Sequence, residues 1–377
     1  MSQKTFDQPQ DSPVTGFQRV GVVGAGAMGR GIAQIIAQIG IPTRLHDSDG
    51  KALEAAQASI HNTWTMMQEK GRLSAAQLEK AHEALSLSNS LEGLADCDLV
   101  IEAIVERLDI KQSLLRQLES IVQADTVLAS NTSSLSVAAM ASCLEHPERV
   151  AGYHFFNPVP LMKIVEVVRA AKTSGHVVER LTALAKAVGH RAVVCGDTPG
   201  FIVNHAGRGY LTESLRLLGE TIAPHHEVDR ILRLGAGFRM GPFELMELTG
   251  LDVTQPASAL IYNQFFQEPR YRPSLIMQSR YEAGVLGRKS KKGFYEYDKD
   301  MKAIVAPEAP APEETRRFVG VSSPVQPPRH LRITRSCSPI MNNRAASPIS
   351  VIFDIDGVLI DTGAIAQEAG FHYPVAL

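Results

Sequence analysis

The apolar run Arg19–Val23 leads without a break into Gly24-Ala25-Gly26-Ala27-Met28-Gly29, and from there into the helical-looking Gly31-Ile-Ala-Gln-Ile-Ile. A glycine is needed at each of three points. Gly24 permits a tight turn, Gly26 lets the backbone approach a pyrophosphate, and Gly29 lets helix and strand pack closely. The N–H groups that open the following helix then face an anion. Three spaced glycines alone are a weak signal, because glycine-rich turns are common. Here they follow a strand, open a helix and are answered by Asp47, 18 residues beyond Gly29. A carboxylate ending the second strand accepts from ribose hydroxyls and repels a 2′-phosphate, so NAD is expected over NADP. Arg44 lies within that strand, three residues earlier, and does not alter the expectation.

The rest of the first half repeats the rhythm. Strands are predicted at Arg19–Val23, Thr43–His46, Leu99–Ala103, Val127–Ala129, Arg149–His154 and Ile164–Val168, with amphipathic stretches Met28–Ile39, Lys51–Glu69 and Lys111–Val122 between them. This alternation predicts an α/β fold: a Rossmann-type, mostly parallel sheet over residues 17–197. After Asp197–Gly200 the patterning turns helical, and a second, all-helical C-terminal domain is expected over residues 198–298. Pro242 before Phe243-Glu244-Leu245-Met246 suits a helix that opens on proline.

Of the 377 residues, 44% are hydrophobic and 21% charged, which is enough for a large core. A net charge of −2 gives no basic field to draw the chain to nucleic acid or an anionic membrane. No apolar stretch approaches the ~20 residues a membrane helix needs. The N-terminal MSQKTFDQPQDSP lacks the apolar centre of a secretory signal and the arginines of a transit peptide. Cysteines 97, 143, 195 and 337 lie far apart without metal-ligand spacing, so reduced thiols, no metal site and a cytoplasmic location are expected.

Two polar segments follow predicted strands: Ser130-Asn131-Thr132-Ser133-Ser134 and His154-Phe-Phe-Asn-Pro158. Both are therefore expected at the carboxyl edge of the sheet, where ligands bind in open α/β folds. Glu166 follows His154 by 12 residues, enough for a loop and a return strand, and Asn204 closes Pro199-Gly-Phe-Ile-Val-Asn at the domain boundary.

These segments, taken in order with Ile101–Glu106, Lys163–Val167, Gly235–Leu245 and Gly287–Tyr297, make the chain resemble the L-3-hydroxyacyl-CoA dehydrogenase family over roughly residues 18–297. The resemblance implies His154 as catalytic base, Glu166 as its partner, and Ser133 and Asn204 as substrate contacts, with Ser134 an adjacent rival to Ser133. At the cofactor it implies Gly24, Gly26, Ala27, Met28, Gly29, Asp47, Glu106, Lys111 and Asn131. Glu106 either meets the nicotinamide end or serves as a first-turn acid at a helix N-terminus. The implied substrate is a coenzyme A thioester, the implied assembly a homodimer.

Elementary chemistry agrees. Oxidising a secondary alcohol removes a proton from oxygen as hydride leaves carbon, and imidazole can take that proton near neutrality. A carboxylate such as Glu166 fixes the ring's tautomer, while Ser133 and Asn204 can donate to substrate oxygens. The resemblance further implies that the helical hairpin over residues 59–82 meets coenzyme A, so that Lys70 or Arg72 at its break either contacts the phosphates or forms a solvated charge pair beside a turn. Gly287-Arg288-Lys289-Ser290 can also see phosphate, with a structural role the preferred reading.

Arg239-Met240-Gly241-Pro242 and Arg272-Pro273-Ser274 resemble bacterial short-chain members of the family, acting on 3-hydroxybutyryl-CoA or 3-hydroxyadipyl-CoA in fatty-acid or aromatic-acid breakdown. A gulonate-type 3-hydroxy acid dehydrogenase and a non-catalytic, crystallin-like NAD binder are the alternatives. One stretch departs from the family pattern. Where arginine and later Pro-Tyr usually follow Asn204, this chain reads His205-Ala-Gly-Arg208-Gly-Tyr210. Two glycines, each costing about 1 kcal/mol against alanine in a helix, are expected to loosen the helix that carries Asn204.

Residues 299–349 are proline-rich and read as a disordered linker. Residues 350–377 hold Phe353-Asp354-Ile-Asp356-Gly, which resembles the first motif of haloacid-dehalogenase-type phosphatases, with Asp354 as nucleophile and Asp356 as acid/base. Only 14 residues follow Gly363, so a truncated fragment without activity of its own is expected.

Overall fold

The computed structural model describes residues 16–304 and, as backbone alone, the paired strands Ile352–Ile355 and Val358–Asp361. The expected phosphatase-like fragment lies outside the described residues apart from those strands. So do residues 1–15 and 305–349, which hold the N-terminal lead and most of the expected linker.

Eight strands form one sheet: β1 (Val20–Val23), β2 (Thr43–His46), β3 (Leu85–Ser88), β4 (Leu99–Glu102), β5 (Val127–Ser130), β6 (Val150–Phe155), β7 (Ile164–Arg169) and β8 (Arg191–Gly196). Their order is β3-β2-β1-β4-β5-β6-β7-β8, and every pairing is parallel except β6 with β7. Strands β1, β4 and β5 are buried at all four positions, as near-continuous apolar runs covered on both faces should be. The expected mostly parallel sheet is therefore present. Two strands were not anticipated from the sequence, β3 and β8, and they are the two edges.

The helices α1 (Ala27–Gln38), α2 (Gly50–Glu69), α3 (Ala75–Ala84), α4 (Leu108–Ile121), α5 (Val137–Ala141) and α6 (Gly175–Ala187) cross between strands. One core gathers Ile32, Ile36, Leu45, Trp64, Tyr153 and Leu184; a second gathers Val100, Leu115, Leu128 and Met140. Strand order reverses between β1 and β4, which opens a crevice at their carboxyl ends.

By its contacts the chain divides into two compact units, residues 16–207 with 260–267 and residues 208–259 with 268–304. The division falls inside a helix, later than the change of texture near residue 197 suggests. The second unit is built on α7 (Val203–Gly219) from Arg208 onward, α8 (His225–Ala236), α9 (Pro242–Thr249), α10 (Leu251–Gln264) as far as Ala259, and α11 (Leu275–Glu282), which matches the expected helical character.

Here the glycine-rich departure behaves differently from expectation, since α7 runs unbroken through Gly207 and Gly209. Burial of Arg208, Leu211, Ser214 and Leu215 along one face outweighs the local propensity cost. Helix α9 opens as the sequence suggests, with Pro242 in its first turn and Glu244 reaching back to the Gly241 N–H. A buried carboxylate from α8, Asp229, accepts from the Phe243 and Glu244 N–H groups at 2.8 and 3.0 Å. A Cβ on Gly241 would stand 2.3 Å from that carboxylate, which accounts for the glycine.

The Gly287–Tyr297 segment wraps a second buried acid. Glu247 accepts from Phe294 N–H and from the Tyr297 hydroxyl at 2.6 and 2.8 Å, and Lys289 pairs with Asp252. This is the structural role preferred for that segment. No helix among the described residues is long and apolar enough to cross a membrane.

Candidate active site

The glycine turn is built as its spacing requires. Gly24 has φ +107°, and a Cβ there would lie 2.6 Å from the carbonyl oxygen of Ala103, the residue that follows the neighbouring strand β4. At Gly29 a Cβ would meet the Gly24 oxygen at 1.8 Å, so this glycine lets α1 sit on the turn. At Gly26 nothing lies within 4 Å, and a ligand has room to approach the bare backbone. Helix α1 carries no side-chain cap, and its first bond runs from Arg30 N–H to Gly26, leaving the N–H groups of Ala27, Met28 and Gly29 for an anion.

Asp47, just past β2, accepts from Ala25 N–H at 2.7 Å and Asp49 N–H at 2.9 Å, which ties the two turns together. A carboxylate has acceptor sites beyond those two, enough for a ribose. Beside it lies a cavity of about 440 Å³ lined by Val23, Gly24, His46, Asp47, Ile104 and Leu114, among others. Arg44 is turned to Asp96 and the Gly93 carbonyl, so its charge is already matched. An adenosine diphosphate moiety without a 2′-phosphate fits these groups.

His154 and Glu166 are brought together by the one antiparallel pairing in the sheet, where they stand directly opposite each other on β6 and β7. His154 lies in the strand, one residue before its end. Its Nδ1 is 2.7 Å from Glu166 Oε2, with the histidine 5% and the glutamate 0% exposed. The other carboxylate oxygen, Oε1, accepts from Ile202 and Val203 N–H at 2.9 and 2.8 Å, where α7 begins. An ionised carboxylate only accepts, so Nδ1 carries the hydrogen and the neutral ring keeps its lone pair on Nε2. Among the described residues Nε2 has no hydrogen-bond partner. Phe156 and Phe201 flank the ring, with centroids at 4.4 and 5.7 Å.

The serine-rich turn after β5 is gathered by Glu106. Its Oε1 faces the Thr132, Ser133 and Ser134 hydroxyls at 2.7, 3.2 and 3.0 Å and the Ser133 and Ser134 N–H groups at 2.8 and 3.1 Å. Burial alone would raise the Glu106 carboxyl, but Lys111 and these donors hold it below the ordinary carboxylate range. Ser133 is half-buried whereas Ser134 is buried, so Ser133 is the freer of the two. Asn204 donates to the Ser133 carbonyl at 3.2 Å, and Asn131 accepts from Phe155 N–H at 2.9 Å beside the histidine. The structure thus brings Ser133, Asn204, Asn131 and Glu106 together.

Lys111 departs from its expected place at the cofactor. Its side chain is 1% exposed, with the ammonium 2.8 Å from both Glu102 oxygens and 3.4 Å from Glu106. Placed on the buried face of α4, it can act on the site only through Glu106. Glu102, 0% exposed and also hydrogen-bonded by Ser130, was missed in the sequence. The signal was a glutamate at the end of the wholly apolar β4, which needs a buried cation. Lys70 and Arg72 stand exposed at the α2–α3 turn. Among the described residues no group of three or more His, Cys, Asp or Glu is arranged to hold a metal.

Comparison with known proteins identifies the family to which this fold belongs. Residues 19–198 match the family model "3-hydroxyacyl-CoA dehydrogenase, NAD binding domain" and residues 200–297 its "C-terminal domain". The chain is 43% identical over 292 residues to the 3-hydroxyadipyl-CoA dehydrogenase of Escherichia coli K12, covering 78% of this chain and 62% of that protein. It therefore spans less than two thirds of that relative's length. It is 39% identical over 279 residues to a probable 3-hydroxybutyryl-CoA dehydrogenase of Deinococcus radiodurans, covering 74% of this chain and 100% of that one. The crystal structure of 3-hydroxybutyryl-CoA dehydrogenase from Escherichia coli K12 superposes with a TM-score of 0.75 at 42% identity, covering 78% of this chain and 62% of that one. The chain belongs to the family of NAD-dependent 3-hydroxyacyl-CoA dehydrogenases.

Proposed function

We propose that this chain oxidises the 3-hydroxyl of a short (3S)-3-hydroxyacyl-CoA to the 3-oxoacyl-CoA, with His154 as general base and Glu166 as its partner. The observation that carries the reading is the buried Nδ1–Glu166 contact of 2.7 Å, which leaves Nε2 with its lone pair and no other partner among the described residues. Bound NAD supplies the hydride acceptor. His154 Nε2 takes the proton from the alcohol oxygen, and Glu166 balances the charge gained by the ring. The Asn204 amide, which keeps a second N–H beyond its bond to the Ser133 carbonyl, donates to a substrate oxygen, and the Ser133 hydroxyl does so on giving up Glu106 Oε1; together they fix the substrate's orientation. In the reverse direction His154 returns the proton to the ketone. Such a step belongs to fatty-acid or aromatic-acid breakdown.

The test is NADH formation across a series of 3-hydroxyacyl-CoA esters, from hydroxybutyryl upward, with NAD and NADP. Turnover of short esters with a strong preference for NAD is the expected result. Strong turnover of gulonate with none of hydroxybutyryl-CoA overturns the proposal, and no turnover of any substrate favours a binder without activity. The intact His154–Glu166 pair argues against that last outcome.

The helical unit is the proposed homodimer interface. Ile231 and Leu234, three residues apart on one face of α8, are 49% and 71% exposed, leaving apolar surface for a second copy. Sedimentation at the mass of a dimer is expected, and a strict monomer contradicts this assignment. Free Cys97, Cys143 and Cys195 suit a reducing compartment such as the cytoplasm.

A further inference from the structure

His190 is buried between α6 and β8, 4% exposed, and both of its ring nitrogens stand against main-chain carbonyls. Nε2 is 2.9 Å from the Val159 oxygen, and Nδ1 is 3.2 Å from the Val188 oxygen. Burial and the Lys163 charge hold the imidazole below its ordinary value, although the two carbonyls pull the other way. The ring is therefore neutral at neutral pH and carries one N–H. The shorter contact takes that hydrogen, so Nε2 donates to Val159. Val159 belongs to the loop that joins β6 to β7, just beyond His154. It is 1% exposed, and its side chain rests against Gly31 of α1. A Cβ on Gly31 would stand 2.8 Å from the Val159 Cβ, so the loop touches the bare backbone of the helix that opens the dinucleotide site. Through its carbonyl, its side chain and its place in the chain, Val159 joins His190, α1 and β6.

His190 itself does not reach the reacting groups. Its ring meets Phe155 edge-on, with centroids 5.6 Å apart, and Phe155 follows His154 directly on β6. Successive side chains of a strand leave on opposite faces, so His190 stands on the side of the sheet away from the His154 imidazole. What it can fix is the loop. There the Leu161 and Met162 N–H groups both turn back to the Pro158 carbonyl at 2.9 Å, while their side chains are exposed. Those bonds shape a turn within the loop, whereas the Val159 carbonyl ties its middle to the body of the fold. We infer that His190 is a positioning residue for the proposed reaction: by holding the Val159 carbonyl it keeps this loop seated on α1, and so fixes His154 relative to the helix that receives the cofactor. The inference rests on the activity proposed above and adds a residue to it. A displacement of about 1 Å at a reacting group can cost ~100-fold in rate, so a tie placed behind the base has a kinetic consequence.

Three substitutions separate this tie from the mere filling of space. His190→Gln places an amide N–H near the Nε2 position and can still donate to Val159. His190→Asn places one near Nδ1, facing Val188, and His190→Phe keeps a ring but loses both nitrogens. Each is read by steady-state kinetics with a short 3-hydroxyacyl-CoA, by a separate NAD titration, and by amide hydrogen exchange at Leu161 and Met162. In the Phe and Asn variants kcat should fall at least ~10-fold and both amides should exchange at least ~10-fold faster, with NAD affinity within about twofold of wild type. His190→Gln should keep kcat within about threefold of wild type, with exchange as slow as before. Wild-type kcat in all three variants overturns the inference. So does a loss of the same size in all three, which would mark His190 as a space-filling core residue. Faster exchange with kcat unchanged also overturns it, because the loop would then be held without consequence for the base. Should the Phe variant fail to fold, the contrast between Gln and Asn decides. These failures leave the proposed activity standing, whereas a wild-type protein that turns over no ester removes that activity and the role of His190 with it.

Discussion

Replacing His154 with alanine is expected to lower the rate of NADH formation at least ~100-fold while NAD affinity changes little, because the proposed base is lost and the glycine turn is untouched. Glu166→Gln is expected to cost as much, for a reason visible in the hydrogen bonds. The Ile202 and Val203 N–H groups converge on Oε1, and a glutamine there must keep its carbonyl oxygen toward them. Its NH2 group then faces Nδ1 of His154. The ring answers by accepting at Nδ1 and carrying its hydrogen on Nε2, the tautomer that cannot take a proton from the alcohol. Combining the two substitutions should add little to either alone, since both remove the same lone pair. Steady-state kinetics and a separate NAD titration measure all of this. Near-normal rates in both single variants would take the pair out of the mechanism.

The second large effect falls on stability. Lys111→Met leaves the Glu102 carboxylate fully buried without its cation, a change expected to cost about 3–5 kcal/mol. Adding Glu102→Gln to that variant should recover much of the loss, because the uncompensated charge is then gone. Urea unfolding followed by circular dichroism reads both. An acid-side consequence accompanies it through Glu106. A carboxyl held below its ordinary range contributes stability that is present above the unfolded value and is lost as pH falls through the lower, folded one. Without Lys111 that loss begins at a higher pH. A Lys111→Met protein as stable as wild type, with an unshifted acid transition, would show that the buried pair contributes nothing.

The readable parts of the chain were those where one local rule dominates. The glycine turn, Asp47 and the strands buried on both faces follow from spacing and apolar runs, and the structure has them within a residue or two. The missed strands lie at the sheet's edges. Leu85-Ser-Leu-Ser follows directly on α3 and looks like the end of a hairpin, while Arg191–Gly196 is half-exposed and lacks the solid apolar run of its neighbours. Position 204 seemed destabilised by Gly207 and Gly209, yet tertiary burial carries the helix through both. Lys111 and Glu102 were misjudged together, since an ion pair nine residues apart, closed from β4 onto α4, is a product of packing. The same holds for Asp229 and Glu247, buried acids whose partners lie up to 66 and 50 residues away. Periodicity carries no trace of such contacts.

The cross-strand pairing of His154 and Glu166 also changes how kinship should be judged in divergent chains. In such a hairpin the turn can lengthen or shorten while the two side chains stay face to face. Removing one residue inside either strand instead sends one of them through to the opposite side of the sheet. A histidine and a glutamate separated by some other interval can therefore still form a working couple, and a pair at the familiar interval can be broken. Pleat parity, counted outward from the bend, is the sounder criterion for recognising or transplanting this histidine–glutamate pair.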